Sequence, residues 1–254
     1  MARVHNANDI GTGISNWFSN APPISRTFLV LIVASTILSF SLGVIDLKHI
    51  ALIWPRVWGK FEIWRLITNF FIVAKPSFKF LIYLMWVVTY MFPLEKETYQ
   101  FEPADFIYML TFNAVCINLA SLWLGLYFNG VPLILSCVYI WSKNFGEGNV
   151  SLYGLVTVKA FYLPFAFAAM SLVLGDSVMP DLEGIAVGHL YYFFKELYPR
   201  TSGRNLLQTP DWLKRKVADW GMGRPPVTGP DAAASARDAG FRAFRGQGQR
   251  LGTQ

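Results

Sequence analysis

One run of the chain, residues 27–45, has 19 residues and no charged side chain, and it constrains the fold more than any other feature. Crossing the hydrocarbon core of a bilayer in a helix takes about 20 apolar residues. Inside lipid the backbone must satisfy its own hydrogen bonds, which a helix does. The run therefore predicts a membrane-spanning helix. Because residues 1–26 are polar and mixed, we expect it to act as an uncleaved signal anchor.

The rest of the sequence predicts a multi-span membrane protein. Of its 254 residues, 54% are hydrophobic and 16% aromatic, which is more apolar than a soluble domain of this length. A charged loop at 93–97 is expected to close the second span. Five further apolar stretches predict spans at 78–92, 106–128, 131–141, 152–174 and 182–197. Six spans place both termini on one side, and several are shorter than the bilayer core requires.

The charge distribution predicts which side that is. Residues 1–199 hold 12 Lys/Arg and 12 Asp/Glu, whereas residues 200–254 hold 10 Lys/Arg and 4 Asp/Glu, so the whole net charge of +6 lies in the C-terminal segment. On a membrane protein such a tail favours the cytosol over a nucleic-acid partner. The connection 46–77 disagrees, because it carries five Lys/Arg and would lie on the opposite side. Its Trp side chains suit the headgroup level, so we expect it to be partly embedded in the outer leaflet.

These patterns divide the chain into four parts. Residues 1–26 form a cytosolic interfacial segment, with an amphipathic stretch at 8–25 that includes Trp17. Residues 27–199 form the membrane domain. Residues 200–220 contain a juxtamembrane helix that we expect to begin at Pro210. Residues 221–254 have no sustained apolar period, so we expect a disordered basic tail.

The sixth predicted span carries a glycine pair at helical spacing. Gly184 and Gly188 lie four residues apart, so both face one side of a helix and allow a neighbouring helix to approach closely. The pattern is common and indicates helix packing.

Ionisable residues also lie within the predicted spans. Lys159, Glu183 and His189 could line an intramembrane polar path, which keeps open the alternative of a transporter or channel.

Several motifs together resemble a known superfamily. Residues 62–65, Glu-Ile-Trp-Arg, and residues 184–188, Gly-Ile-Ala-Val-Gly, resemble the rhomboid superfamily, which implies six spans and an embedded first loop with Trp-Arg. More closely the chain resembles the Derlin family over about residues 10–215. The stretches that carry this resemblance are 16–18, 23–26, 63–68, 184–193 and 207–210.

The same motifs speak against serine proteolysis. An active rhomboid has a Ser at the start of span four and a His three residues before the Gly-xxx-Gly of span six. Those positions hold Gly130 and Asp181 here, and a Ser nucleophile without a base cannot attack a carbonyl. Ser151 lies one span late and His189 lies beyond the glycines. We therefore expect no enzyme activity, although a divergent enzyme that acts on lipid or peptide remains a second alternative.

We also expect no cofactor and no metal. The other histidines, His5 and His49, are scattered along the sequence, and a metal site needs three or four convergent ligands. The two cysteines, Cys116 and Cys137, fall inside apolar runs and are predicted to be small buried hydrophobes.

The Derlin resemblance implies a function. It implies a non-catalytic component of endoplasmic-reticulum-associated degradation that handles misfolded proteins, thins the bilayer to aid retrotranslocation and works with a membrane-embedded RING ubiquitin ligase complex. It also implies a multi-pass location in the endoplasmic reticulum membrane. Trp64 and Arg65 would anchor the first loop, with Arg65 bonding carbonyls or lipid phosphate.

The end of the tail carries a second motif. Residues 244–251 match the Phe-x-Gly-x-Gly-x-x-Leu pattern of the SHP box, which binds the valosin-containing AAA ATPase. Apolar anchors in a polar tail, with glycines that let an extended chain lie against a partner, suit this mode of binding. The residues assigned to ATPase binding are Phe244, Gly246, Gly248, Gln249 and Leu251.

Overall fold

The computed structural model describes residues 16–152, 156–173 and 175–222, and these are mostly helical. Three described helices are long and apolar enough to cross a membrane, which makes the chain a polytopic membrane protein. They are α1 (Pro23–Ser41), α5 (Phe78–Thr98) and α6 (Pro103–Leu124). The count of six spans stays a prediction, because the other three predicted spans do not form helices of that length and apolarity.

Helix α1 is shifted relative to the predicted span at 27–45. It starts at Pro23, whose fixed φ and missing N–H suit a first helical turn. Its last turn is a π-helix that ends at Ser41. Gly43 then adopts φ +62°, a left-handed conformation that breaks the helix. Before α1, residues 16–19 form one helical turn, and Trp17 stacks on Phe92 at 5.9 Å between ring centroids. The remainder of the amphipathic stretch at 8–25, up to residue 15, lies outside the described residues.

The connection 46–77 is built from short helices separated by turns. Its charged and aromatic residues cannot form one long apolar helix, so the chain folds into brief segments. These segments are α2 (Leu47–Ile50), α3 (Trp54–Lys60) and α4 (Arg65–Thr68). A 3-10 turn, Asn69–Phe71, follows α4 directly.

The predicted charged loop at 93–97 is wrong. Helix α5 continues through Pro93 to Thr98, with π-helical turns at Val87–Met91 and Leu94–Thr98. The charge of Glu95 does not end the helix, because this carboxylate is buried and accepts hydrogen bonds from the first turn of α1. Helix α6 ends at Leu124, four residues before the predicted limit, and Gly125 follows it with φ +68°.

The predicted fifth span, 152–174, is also wrong in its first half. Helix α7 (Gly130–Asn144) is followed by an antiparallel hairpin of β1 (Asn149–Leu152) and β2 (Val156–Lys159). A 3-10 turn then leads into α8 (Leu163–Val173). The β-branched residues of 156–158 favour a strand. The described residues are otherwise mostly helical, as the predicted all-α fold class requires, and Lys159 is an exposed residue at the end of β2.

The last membrane helix is longer than the predicted 182–197. Helix α9 begins with an α-helical segment, Met179–Tyr192. It continues through a π-helical turn, Phe193–Leu197, and ends with a short α-helical segment, Tyr198–Ser202. Residues 210–222 belong to a separate unit, which contains α10 (Asp211–Asp219). The predicted juxtamembrane helix thus begins at Asp211, with Pro210 as the residue before it.

The apolar core lies where α5, α7, α8 and α9 meet. Trp86 of α5 stacks face to face on Phe167 of α8, with centroids 3.9 Å apart. Tyr90 meets the edge of the same Phe167 ring at 5.8 Å. Tyr191 of α9 is buried, and its ring packs against Phe112 of α6 at 5.7 Å. These aromatic contacts fix the helices around α7, which is buried along most of its length.

Candidate functional site

The glycine pair of α9 lies against the backbone of α7. A Cβ on Gly184 would lie 2.6 Å from the carbonyl oxygen of Pro132, and one on Gly188 would lie 2.9 Å from that of Ser136. Real Cβ atoms do not approach so closely, so both positions need glycine. The two helices therefore pack backbone to backbone, which is the kind of packing that favours helix association in lipid.

Gly130, at the position of a rhomboid nucleophile, has no room for a side chain. A Cβ there would lie 2.7 Å from the carbonyl oxygen of Phe70 and 2.7 Å from Cγ1 of Val73. The C-terminal part of the first loop thus occupies the space that a nucleophile would need. Asp181, at the position of the rhomboid His, is buried in the first turn of α9.

Arg65 holds the first loop together from inside. Its side chain is fully buried, and Nη1 donates to the carbonyl oxygens of Lys48 at 2.5 Å and Ala51 at 2.7 Å. Its Nε donates to Glu62 at 2.5 Å. Of the two partners expected for Arg65, carbonyls or lipid phosphate, the structure has the carbonyls. Trp64 is half exposed.

Neighbouring basic residues of the first loop lower the pKa of Glu62. The hydrogen bond from Arg65 holds the pKa of this carboxyl below its ordinary value of 4.5, and the positive charges of Arg56 and Lys60 act in the same direction. Glu62 therefore stays ionised at neutral pH and remains paired with Arg65.

Three buried asparagines join the first loop to α6 and to the start of α7. The side chain of Asn69 donates to the carbonyl oxygen of Arg65 at 2.6 Å and to Oδ1 of Asn118 at 3.1 Å. Asn129 donates to the same Asn118 oxygen at 3.3 Å, and Asn118 donates to the carbonyl oxygen of Leu66 at 2.9 Å. The sequence interpretation missed this cluster. Its signal in the sequence is Asn118, an amide side chain inside an otherwise apolar span.

The residues of the predicted polar path do not come together. Lys159 is exposed on the hairpin, as described above. Glu183 is buried and accepts a hydrogen bond from Ser121 Oγ at 3.2 Å. His189 Nδ1 and the hydroxyl of Tyr139 are 2.8 Å apart. Glu183 and His189 thus each have a local partner, and Lys159 lies apart from both, so the three residues do not form one path.

Two ion pairs join segments of the membrane domain, one involving the start of α5 and the other the start of α6. Lys79, at the start of α5, lies 2.5 Å from Asp176 in the connection between α8 and α9. Lys195 of α9 lies 2.9 Å from Asp105 in the first turn of α6.

The described residues contain no group of three or more His, Cys, Asp or Glu that could hold a metal ion. Cys116 and Cys137 are free thiols, half-buried and buried.

The motif at 244–251 lies outside the described residues, so Phe244, Gly246, Gly248, Gln249 and Leu251 remain a prediction from sequence.

The helical membrane fold, the embedded Arg65 and the α7–α9 glycine contact define a class, that of rhomboid-like polytopic membrane proteins. A family model described as the Der1-like family matches residues 21–211. Derlin-1 of Arabidopsis thaliana is 40% identical over 234 residues, which cover 91% of this chain and 85% of the plant protein. Derlin-1 of Homo sapiens is 35% identical over 251 residues, which cover 95% and 99% respectively. The chain belongs to the Der1-like, or Derlin, family, and the resemblance found in the sequence is confirmed.

Proposed function

We propose that this protein is a non-catalytic component of endoplasmic-reticulum-associated degradation, with both termini in the cytosol. It engages misfolded proteins at the membrane and aids their passage to the cytosol. Family membership over most of the chain supports the pathway. The closed position at Gly130 is the observation that carries the non-catalytic part, because a nucleophile there would collide with the backbone of Phe70 and Ile72.

Local thinning of the bilayer is part of the proposal. Helix α7 has 15 residues, and a helix of that length is about 22 Å long, against about 30 Å for the hydrocarbon core. The apolar helix at Ala160–Val173 is also short. Where a span is short, the surrounding lipid thins to match it, at a modest cost per Å. A thinner bilayer lowers the barrier for a polar client segment.

Recruitment of the valosin-containing AAA ATPase through residues 244–251 is the second part. Phe244 and Leu251 are apolar anchors in a polar tail, and Gly246 and Gly248 permit an extended chain against the partner. Ordering such a tail costs conformational entropy, so single-site affinity is modest and a hexamer gains from several tails. A membrane-embedded RING ubiquitin ligase complex is the expected source of ubiquitylated clients.

The test is capture of the ATPase by the purified full chain in detergent. The wild type and a Phe244→Ala/Leu251→Ala variant are compared, with Phe241→Ala as a matched control because Phe241 lies in the same tail outside the motif. We expect capture by the wild type and the Phe241 variant, and at least a tenfold loss for the double variant. Equal capture by all three proteins, or none by any, would remove the link to cytosolic extraction.

A further inference from the structure

An apolar groove runs between the first loop and α6. Its volume is about 830 Å³. Aromatic residues of the loop, Trp58 and Phe61, form one wall, and Leu119 and Leu122 of α6 form the other. The groove reaches the buried core at Phe28, Phe70 and Leu133. It is therefore deep, and nothing in the function proposed above uses it.

Helix α3, which forms the wall of the groove on the side of the first loop, has two distinct faces. Trp54, Val57 and Trp58 line the groove, at a spacing of three and four residues that places them on one side of α3. The rings of Trp54 and Trp58 stack at 6.2 Å. Arg56 and Lys60 do not line the groove, and Lys60, three residues after Val57, lies beside the apolar face of the same helix. An apolar face with aromatics and a basic face is typical of a helix in the plane of the membrane interface.

Phe61 ends α3 in a strained conformation. Its φ is +54°, and it is the only non-glycine residue with positive φ among those the structure describes. A bulky side chain pays a steric cost in this left-handed region. The result is a ring that lines the groove while the residue as a whole stays 77% exposed. Strained positions of this kind occur at ligand contacts, and here the strain holds an apolar ring at the groove.

The size of the groove distinguishes between two apolar occupants that a membrane offers. A helix about 10 Å in diameter would fill about 830 Å³ with about 11 Å of its length, which is about two turns. A spanning helix has about 20 residues, so most of it would remain outside. Flexible hydrocarbon chains adapt to a narrow, irregular groove and fit it better.

The charge near the groove favours a particular headgroup chemistry. Glu62 is already paired with Arg65 Nε. Within the described residues no ion pair includes Arg56 or Lys60. Both act on Glu62 electrostatically, so they lie in the same part of the loop. Two cations beside an apolar groove at the interface suit a phosphate attached to a hydrocarbon tail.

We propose that this groove is a binding site for a membrane glycerophospholipid, whose acyl chain lies between α3 and α6 and whose phosphate interacts with Arg56 and Lys60. The lipid fills the space between the loop and the membrane helices. It is thereby held more tightly than the lipids that surround the protein.

The test is to count retained phospholipid. The full chain is reconstituted in nanodiscs of phosphatidylcholine with phosphatidylglycerol, moved into detergent and analysed by native mass spectrometry. Ala114→Trp and Val115→Trp place a ring in the groove from α6. Val115 is already half exposed, so its variant leaves the core undisturbed. Ala120→Trp is the matched control, because Ala120 is half-buried on the same helix but does not line the groove.

We expect one phospholipid per wild-type chain and per Ala120 variant, and at least a fivefold loss in both groove variants. Arg56→Gln/Lys60→Gln should lower retention of phosphatidylglycerol at least fivefold, with unchanged thermal unfolding. Absence of retained lipid in the wild type, or an equal loss in the Ala120 variant, would overturn the proposal. So would displacement of the lipid by a hydrophobic helical peptide whose binding Val115→Trp abolishes, because the groove would then be a peptide site.

Discussion

The hydroxyl of Ser25 donates a hydrogen bond to Oε2 of Glu95 at 2.5 Å, although 70 residues separate them. The same carboxylate accepts the backbone N–H of Ser25 at 2.7 Å and that of Ile24 at 3.0 Å. The first N–H groups of a helix have no partner within it, and negative charge is favourable at this end. Glu95 thus caps α1 from the end of α5 and joins the first two membrane helices.

Glu95→Ala should destabilise the membrane domain. The change leaves the two N–H groups and the Ser25 hydroxyl without this acceptor in a buried place, which costs about 1–3 kcal/mol. Thermal unfolding in detergent measures the effect. Glu97→Ala is the control, because Glu97 is exposed in the same helical turn. A Glu95 variant as stable as the Glu97 variant would contradict the capping role.

Gly188→Leu should disrupt the contact between α7 and α9. The added side chain would overlap the carbonyl of Ser136 and the Cβ of Tyr139, and overpacking typically costs about 1–3 kcal/mol. Ala186→Leu adds bulk on an exposed side of the same helix and should have little effect. Yield of monodisperse protein and its unfolding temperature report the difference. Normal assembly of the Gly188 variant would argue against close approach.

Arg65→Leu should loosen the first loop. It leaves Glu62 without its partner and removes the donor to two carbonyl oxygens. A buried acceptor that loses its hydrogen bond costs about 1–3 kcal/mol. We expect faster cleavage within residues 46–77 in limited proteolysis. Lys60→Leu removes an exposed cation of the same loop and serves as the comparison. Identical cleavage of both variants would mean that Arg65 does not hold the loop.

The pairing of Glu62 with Arg65 predicts a dependence on pH. The pKa of Glu62 is lowered in the folded protein, so its contribution to stability is present above the ordinary value of 4.5 and is lost as pH falls through the folded value. Wild-type protein should therefore become easier to cleave in the first loop below about pH 4.5. Glu62→Gln should show a smaller change over that range, measured with an acid-active protease. An equal change in both proteins would assign the effect to other groups.

Orientation can be tested with single added cysteines. With both termini in the cytosol, the connection that contains Glu147 lies in the cytosol and the first loop lies on the other side. Glu147→Cys should react with an impermeant maleimide in intact microsomes, whereas Gly59→Cys should react only after permeabilisation. The native Cys116 and Cys137 lie within α6 and α7, and a variant without them provides the background. The reverse pattern would invert the topology.

Some features followed directly from sequence. The uncharged run at 27–45 predicted α1 to within four residues at each end. Charged side chains are costly inside lipid, so a long run without them indicates a span. The glycine spacing at 184 and 188 placed both residues on one helix face. Arg65 was recognised through family motifs. By contrast, the apolar stretch at 152–174 was assigned to one span, because hydropathy does not distinguish a short strand from a helix.

The sequence by itself determined that the chain is a membrane protein of the Derlin family, since apolar runs and local motifs depend only on neighbouring residues. Tertiary structure decided what the polar residues do. The sequence predicted Glu95 in a loop that closes a span, whereas the residue caps another helix. It predicted Lys159 inside a span, whereas the residue ends a strand. The carboxylate that a membrane buries needs a donor, and the donor came from a helix start 70 residues away. Such a partner is set by packing in space, which no local pattern contains.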